Sequence, residues 1–128
     1  MIDLASGTLF FDDATEVDPR ITRPKFLTSP LELPTTPDAT SAGPWSIYTL
    51  APRLLDGIKF ASRLSFNGDA LELLALWNVE VEEAARLERH DVWLMKQLGE
   101  GPYVFGWGKV ESLTEPNGGG NIILFSYM

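Results

Sequence analysis

The sequence predicts an α+β fold: an antiparallel sheet of about five to seven strands, one main helix at residues 81–98 packed on it, and a short N-terminal helix at 23–28. Three observations predict this fold. Segments rich in aliphatic and aromatic residues alternate at strand spacing, one segment repeats apolar residues at helical spacing, and residues 103–128 have the composition of two strands around a glycine-rich loop. A chain of 128 residues is expected to form a single domain over 1–128.

The composition narrows the classes of function. The chain has no cysteine, which removes disulfides, thiolate metal sites and cysteine nucleophiles and favours a reducing, cytoplasmic location. Its 18 acidic and 10 basic residues give a formal charge of −8, which disfavours nucleic acid and anionic membranes as partners and suits a basic protein. The first residues lack the features of a signal peptide, and no apolar run reaches the roughly 20 residues that span a bilayer.

The N-terminal third is expected to consist of short elements and loops. Residues 2–11 are typical of a strand, a turn and a second strand. An acidic loop at 12–18 follows, and then the short helix, for which Thr22 is a suitable cap and Pro24 a suitable early residue. Residues 30–44 contain four prolines and are expected to form a long surface loop, a kind of segment that is often functional.

The middle of the chain predicts a β-hairpin. Asn67-Gly68 is the strongest short turn signal, and it predicts a type I′ turn between strands at 58–66 and 69–77. This register puts apolar residues on one face and an opposite-charge pair on the other. The predicted pairs are Leu64–Leu71, Ser62–Leu73, Phe60–Ala75, Ile58–Trp77 and Arg63–Glu72.

The main helix is predicted from an apolar stripe at helical spacing. Three glutamates at its start complement the positive end of the helix dipole, and Gly99 followed by Pro102 is a suitable stop. Asp91 interrupts the stripe without an evident reason. The residues of the predicted buried stripe are Val81, Ala84, Leu87, Leu94, Met95 and Leu98.

The closing hairpin is predicted to pair a strand at 103–111 with one at 122–127. Aromatic side chains alternate along one face of the first strand, and Gly106 and Gly108 lie on the other. Glycine inside a strand indicates close approach by a neighbouring group. The second strand is apolar on both faces, so both are expected to be covered.

No catalytic or metal-binding pattern stands out. His90 is the only histidine, and a surface histidine is favoured over a catalytic one because no nucleophile elbow accompanies it. A single histidine without cysteine excludes the common zinc ligand sets, and the acidic loop has Val17 where a calcium-binding EF-hand loop requires glycine. Gly118-Gly119-Gly120 leads into a strand, as a hairpin loop does and a phosphate-binding loop does not. No cofactor or metal is expected.

Two surfaces are candidates for binding a partner. The first is the acidic loop, and the second is a helix face where Trp93 would be a binding hot spot if it were exposed. Core packing of Trp93 is the favoured alternative. The candidate residues are Asp12, Asp13, Glu16, Asp18, His90, Trp93 and Gln97.

The C-terminal residues 90–128 resemble the ending of small uncharacterised bacterial proteins. The likeness rests on Tyr103-x-Phe105-x-Trp107-Gly108, on Glu115-Pro116-x-Gly118-Gly119, and on the aliphatic run that ends in Tyr127. It implies no activity and no catalytic residues. Membership of some such proteins in toxin–immunity gene neighbourhoods implies a binding role.

The sequence favours a non-catalytic, acidic protein-binding module, such as an immunity-type inhibitor of a basic protein. The alternative is a small enzyme or ligand-binding protein that uses carboxylates in a pocket under the 30–44 loop. A homodimer formed through a sheet edge or Trp93 is a third hypothesis.

Overall fold

The computed structural model describes residues 1–29, 35–37, 43–115 and 120–128. Most of the predicted 30–44 loop and the glycines at 118 and 119 therefore lie outside the described residues. The elements in chain order are β1 (Leu9–Phe10), β2 (Glu16–Val17), the helical turn α1 (Arg23–Leu27), β3 (Thr35–Pro37), β4 (Trp45–Leu55), β5 (Ile58–Asn67), β6 (Ala70–Asn78), α2 (Glu83–Leu98), β7 (Tyr103–Phe105), β8 (Gly108–Thr114) and β9 (Asn121–Tyr127).

The strands form one large antiparallel sheet and one small one. Strands β4 to β9 make the large sheet, and β3 pairs with its β4 edge, so the order across it is β3-β4-β5-β6-β9-β8-β7. Strands β1 and β2 pair separately. These elements confirm an α+β fold with an antiparallel sheet and one main helix.

One face of the large sheet carries the core. Leu64, Leu74 and Phe125 lie side by side across β5, β6 and β9 and are fully buried. Phe26 of α1 packs on Phe66, with ring centroids 5.5 Å apart. The β1–β2 pair contributes Leu9 and Val17 to the same cluster, so the N-terminal elements and α2 cover this face together.

The turn between β5 and β6 lies where the sequence predicted it, but the predicted register is wrong. Asn67 pairs with Ala70, which leaves Gly68 and Asp69 in the loop, and Phe66 pairs with Leu71. A β-bulge then adds one residue to β6, so Leu64 pairs with Leu74 rather than Leu71.

The predicted Arg63–Glu72 pair is absent for the same reason. Arg63 lies beside Ala75, and its Nη2 is 3.2 Å from Oε1 of Glu115. Only Gly68 in the β5–β6 loop has a positive φ, 61°, whereas a type I′ turn requires two such residues. The turn with two positive φ angles is Asp56-Gly57, which joins β4 to β5 at 53° and 76°.

The closing hairpin is confirmed at β8 and β9, but its predicted first strand is two strands. A tight turn at Gly106-Trp107 separates β7 from β8. Gly108 is approached closely, since a Cβ there would lie 2.1 Å from the carbonyl oxygen of Ser126. Gly106 has no neighbour within 4 Å of such a Cβ, so the prediction of a crowded glycine face is correct only at Gly108.

Aromatic residues near the C-terminus hold the N-terminal residues against the large sheet. Trp107 stacks on Phe105 with ring centroids 4.8 Å apart, and its Nε1–H donates to the Leu4 carbonyl at 2.9 Å. The Tyr127 hydroxyl donates to the Gly7 carbonyl at 3.1 Å. The predicted turn near residue 7 is therefore held by residues about 100 positions away.

Candidate functional site

Helix α2 buries a face that overlaps only partly with the predicted stripe: Leu94 is buried and Leu98 packs against the core, as predicted. His90, Trp93 and Leu94 are buried, and the Trp93 ring lies 5.3 Å from that of Phe60. Leu87 and Met95, which the sequence assigned to the buried stripe, are 40% and 53% exposed. The aromatic side chains have more area to bury than the aliphatic ones, and they pack on the sheet in place of Leu87 and Met95.

His90 is a buried structural residue, so its predicted surface position is wrong. It has no solvent exposure, and its Nε2 accepts the backbone N–H of Asn78 at 3.0 Å. Burial, followed by the charge of Arg86, lowers the pKa of His90 to about 4, against weaker opposing effects of Asp91 and Glu83. The imidazole is thus neutral at pH 7 and holds the end of β6 against α2.

The predicted partner face of His90, Trp93 and Gln97 is not a surface. Trp93 is 4% exposed, which confirms the core alternative for this residue. Gln97 is half-buried and donates its side-chain N–H to the carboxylate of Asp56. All three side chains are used in holding α2 to the sheet.

The exposed side of α2 carries a mixed apolar and acidic surface. Its large apolar members are Leu87, Val92 and Met95, which are 40%, 62% and 53% exposed. Helical spacing places Asp91 between Leu87 and Met95, and Glu88 one turn before Val92. We name this surface the α2 strip; its residues are Leu87, Glu88, Asp91, Val92 and Met95.

Charge is divided between the two flanks of α2. The acidic residues of the strip lie on one flank, while Arg89 and Lys96 lie on the other, beside a cavity that Asn78 and Trp93 also line. Carboxylates next to exposed apolar side chains are complementary to a partner that presents lysine or arginine around an apolar ridge. Methionine adapts well to such contacts because its side chain is unbranched and polarisable.

The acidic loop is mostly engaged in structural contacts. Asp12 accepts the backbone N–H groups of Asp56 and Gly57 at 2.9 and 2.8 Å, which fixes the β4–β5 turn. Asp13 lies 2.9 Å from Nη1 of Arg53. Hydrogen bonds from Thr15, with a smaller effect of Arg53, hold the pKa of Asp13 below its usual value.

Asp18 and Glu16 differ in their surroundings. Asp18 pairs with Arg20 at 3.1 Å, and the hydrogen bond from Arg20 lowers the pKa of this carboxyl. Glu16 is exposed on β2. The four acidic residues thus form separate contacts rather than one cluster aimed at a ligand.

These contacts predict how alanine substitutions in the acidic loop will behave. Asp12→Ala is expected to lower the free energy of unfolding by about 1 kcal/mol, because two backbone donors of the β4–β5 turn lose a charged acceptor that is largely solvated. Glu16→Ala, the matched control, should change it by less than about 0.5 kcal/mol. Urea denaturation of both variants measures the difference, and equal values would refute the structural role of Asp12.

A cavity of about 630 Å³ lies beside the acidic loop, whereas the sequence alternative placed a carboxylate pocket under the 30–44 loop, most of which lies outside the described residues. Its lining includes Glu16, Asp18, Arg20 and Lys25. The carboxylate of Asp18 is held ionised by Arg20, whereas a general acid at neutral pH needs a raised pKa. The cavity is thus lined by two carboxylates and two cations, of which Asp18 and Arg20 form an ion pair.

Within the described residues, no set of three or more histidine, aspartate or glutamate side chains is placed to hold a metal ion. No helix in the described part of the chain is long and apolar enough to cross a membrane. No protein-family model matches the chain, and neither curated proteins nor solved structures include a significant match.

Sequence reasoning missed the α2 strip although a signal for it was present. Asp91 lies between Leu87 and Met95 on the stripe that was predicted to be buried, and a carboxylate in that position is costly unless it faces water. Its presence indicated that the stripe is exposed. The resemblance of residues 90–128 to small bacterial proteins stays a prediction.

Proposed function

We propose that this protein is a non-catalytic binding module that docks a basic protein partner on the α2 strip. The observation that carries the proposal is the exposure of Leu87, Val92 and Met95 on a helix side that also carries Asp91 and Glu88. Val92 in addition borders the cavity lined by Arg89 and Lys96. Soluble proteins seldom leave several large apolar side chains together in water without a partner. The net charge of −8 adds long-range attraction for a basic protein.

The rigidity of α2 supports a docking role. Gln97 and His90 fix the helix to Asp56 and Asn78, and Glu83 fixes its first turn to β9 by accepting the backbone N–H of Asn121 at 2.7 Å. A helix held at both ends presents its outer side chains in a defined arrangement. Such preorganisation reduces the entropy cost of binding.

An immunity-type inhibitor is the specific form of the proposal that the sequence favours. Inhibitors of this kind need no catalytic group, and a rigid surface of complementary charge is sufficient for their function. The support for this form is the acidic charge together with the resemblance of residues 90–128. The identity of the neighbouring genes is its simplest test, since a metabolic operon would argue against it.

Substitution of the strip is expected to abolish capture of the partner. Tagged wild-type protein incubated in a lysate of its own organism should retain one basic protein in stoichiometric amount, and less of it as salt is raised. Leu87→Lys and Met95→Lys each place a cation where a basic partner would dock. Each should weaken binding at least about thirtyfold, as expected for a substitution at the centre of an interface.

The matched control is Leu54→Lys, which replaces a leucine of similar exposure, 48%, on β4 rather than on α2. This variant should retain the partner as wild type does, and all three should unfold within about 0.5 kcal/mol of wild type. Equal loss of binding in all three variants, or capture that does not depend on salt, would contradict the proposal.

A further inference from the structure

The face of the large sheet opposite α2 is a second ordered surface. Alternation along paired strands puts Arg63, Ala75, Leu124 and Glu111 in one row across β5, β6, β9 and β8. A parallel row contains Ser65, Leu73, Ser126 and Lys109. We name this surface the outer sheet face; its residues are Ala61, Arg63, Ser65, Leu73, Ala75, Trp77, Lys109, Glu111, Leu113, Ile122, Leu124 and Ser126.

The outer sheet face is largely apolar at its centre. Ala75 and Ile122 are buried against their neighbours, and Leu73, Trp77 and Leu124 are each partly exposed. Helix α2 and the turn α1 pack on the other side, where their rings meet Phe60 and Phe66. Arg86 of α2 reaches one end of this face and lines a cavity there with Arg63 and Trp77, whereas Leu73 and Leu124 at its centre are partly exposed.

The charges of this face balance, unlike those of the whole chain. Arg63 is 3.2 Å from Glu115, which directly follows β8 at the end of this face, and Lys109 is 3.1 Å from Glu111, so these two ion pairs carry no net charge. Two copies of a chain with a formal charge of −8 repel one another through most of their surfaces. An electroneutral apolar face is where two copies meet at the lowest electrostatic cost.

We infer that the outer sheet face joins two copies of this chain about a twofold axis that runs parallel to the strands, between β6 and β9. Rotation about this axis places each row of one copy against the same row of the other. Strand β5 of one copy then faces β8 of the other, and β6 faces β9. Arg63 of one copy then lies opposite Glu111 of the other, and the contact occurs twice, as an isologous interface requires. Two sheets packed in this way lie about 10 Å apart, within reach of both side chains.

The remaining residues of the face agree with the same axis. In the second row, Leu73 of one copy meets Ser126 of the other, and Lys109 meets Ser65, so no like charges are opposed. Arg63 keeps donors for this contact because a guanidinium has five N–H groups and the Glu115 contact uses one of its nitrogens. The α2 strip lies on the opposite side of the sheet and stays free to bind its partner.

Exchanging the charges of Arg63 and Glu111 in the full chain tests the inference. Sedimentation equilibrium of the wild-type protein should show a concentration-dependent dimer. Arg63→Glu and Glu111→Arg each oppose two pairs of like charges and should each raise the dimer dissociation constant at least about tenfold. The double variant restores both attractions with reversed sign and should return the constant to within about threefold of wild type.

Rescue by the double variant separates an interface from a role within one copy. Arg63→Glu also disturbs Glu115, but Glu111 is exposed, so Glu111→Arg should fold and stands alone as a test. Leu87→Lys, on the opposite side, should leave the constant unchanged. A wild-type protein that sediments as a monomer at all concentrations, or a dimer that Glu111→Arg does not weaken, would overturn the inference.

Discussion

Replacing Gly108 with alanine is expected to cost about 3–5 kcal/mol of the free energy of unfolding. The added Cβ would lie 2.1 Å from the Ser126 carbonyl oxygen and 3.1 Å from the Cα of Tyr127. Both atoms belong to the backbone of β9, which cannot move without breaking its pairing with β8 and β6. The φ of Gly108, 150°, is also one that residues with a Cβ rarely adopt.

Gly106→Ala is the matched control for this prediction. It lies two residues away, in the turn between β7 and β8, and a Cβ there meets nothing within 4 Å. We expect a change of less than about 0.5 kcal/mol. Urea denaturation of both variants measures the comparison, and similar values for the two would show that β9 does not approach Gly108 as described.

Protonation of His90 is expected to lower the free energy of unfolding by about 2–3 kcal/mol between pH 6.5 and pH 4. Burial lowers the pKa of His90 to about 4 in the folded chain, while the unfolded chain keeps the ordinary value near 6.5. The unfolded state therefore binds more protons in this window, and stability falls as the pH falls through it. Above pH 6.5 the imidazole is neutral in both states and the full stability is present.

Two substitutions of His90 isolate its contribution. His90→Leu removes the acceptor of the Asn78 N–H and should cost about 1–3 kcal/mol at pH 7, but less at pH 4.5, where wild type has lost its own advantage. His90→Gln offers an amide oxygen to the same N–H and has no titration in this range, so it should cost less at pH 7. Denaturation curves at the two pH values that show the same pH dependence in all three proteins would refute the assignment.

The fold class was predictable from the sequence, but the register of its central hairpin was not. Asn67-Gly68 marks the turn correctly, yet the residues of the loop are Gly68 and Asp69. Gly68 donates its N–H at 2.8 Å to the carbonyl of Pro44, a residue that directly precedes β4 and is distant from the turn in sequence. Leucine stands at four of the positions from 71 to 76, so the apolar pattern fits more than one register, and the bulge in β6 leaves no local signature.

Part of the buried face of α2 was mispredicted for a related reason. Aliphatic periodicity assigned Leu87 and Met95 to the core, and His90 was expected on the surface, whereas core packing was already favoured for Trp93. The sheet beneath α2 instead accommodates Trp93 against Phe60, and the buried N–H of Asn78 provides a donor for His90. Neither partner adjoins the helix in sequence, so the choice between two amphipathic faces depends on tertiary contacts.

The contacts made by the acidic loop likewise could not be predicted from the sequence. Its charge was evident from the sequence, but its roles were not, because the backbone N–H groups that Asp12 accepts and the arginine that pairs with Asp13 lie about 40 positions away in the β4–β5 hairpin. The α2 strip was available to sequence reasoning only through Asp91. The carboxylate that interrupted the predicted stripe marked the side of the helix that faces water.

The most direct test of the proposed function is site-specific photo-crosslinking from position 95. A photoreactive residue in place of Met95, at the C-terminal end of the α2 strip, should crosslink one basic protein in a lysate of the organism, and added salt should reduce the yield. The same residue in place of Glu16 or Val104, both exposed, should give no such product. Crosslinking of the same protein from position 16 but not from 95 would contradict the account and place the partner on the acidic loop.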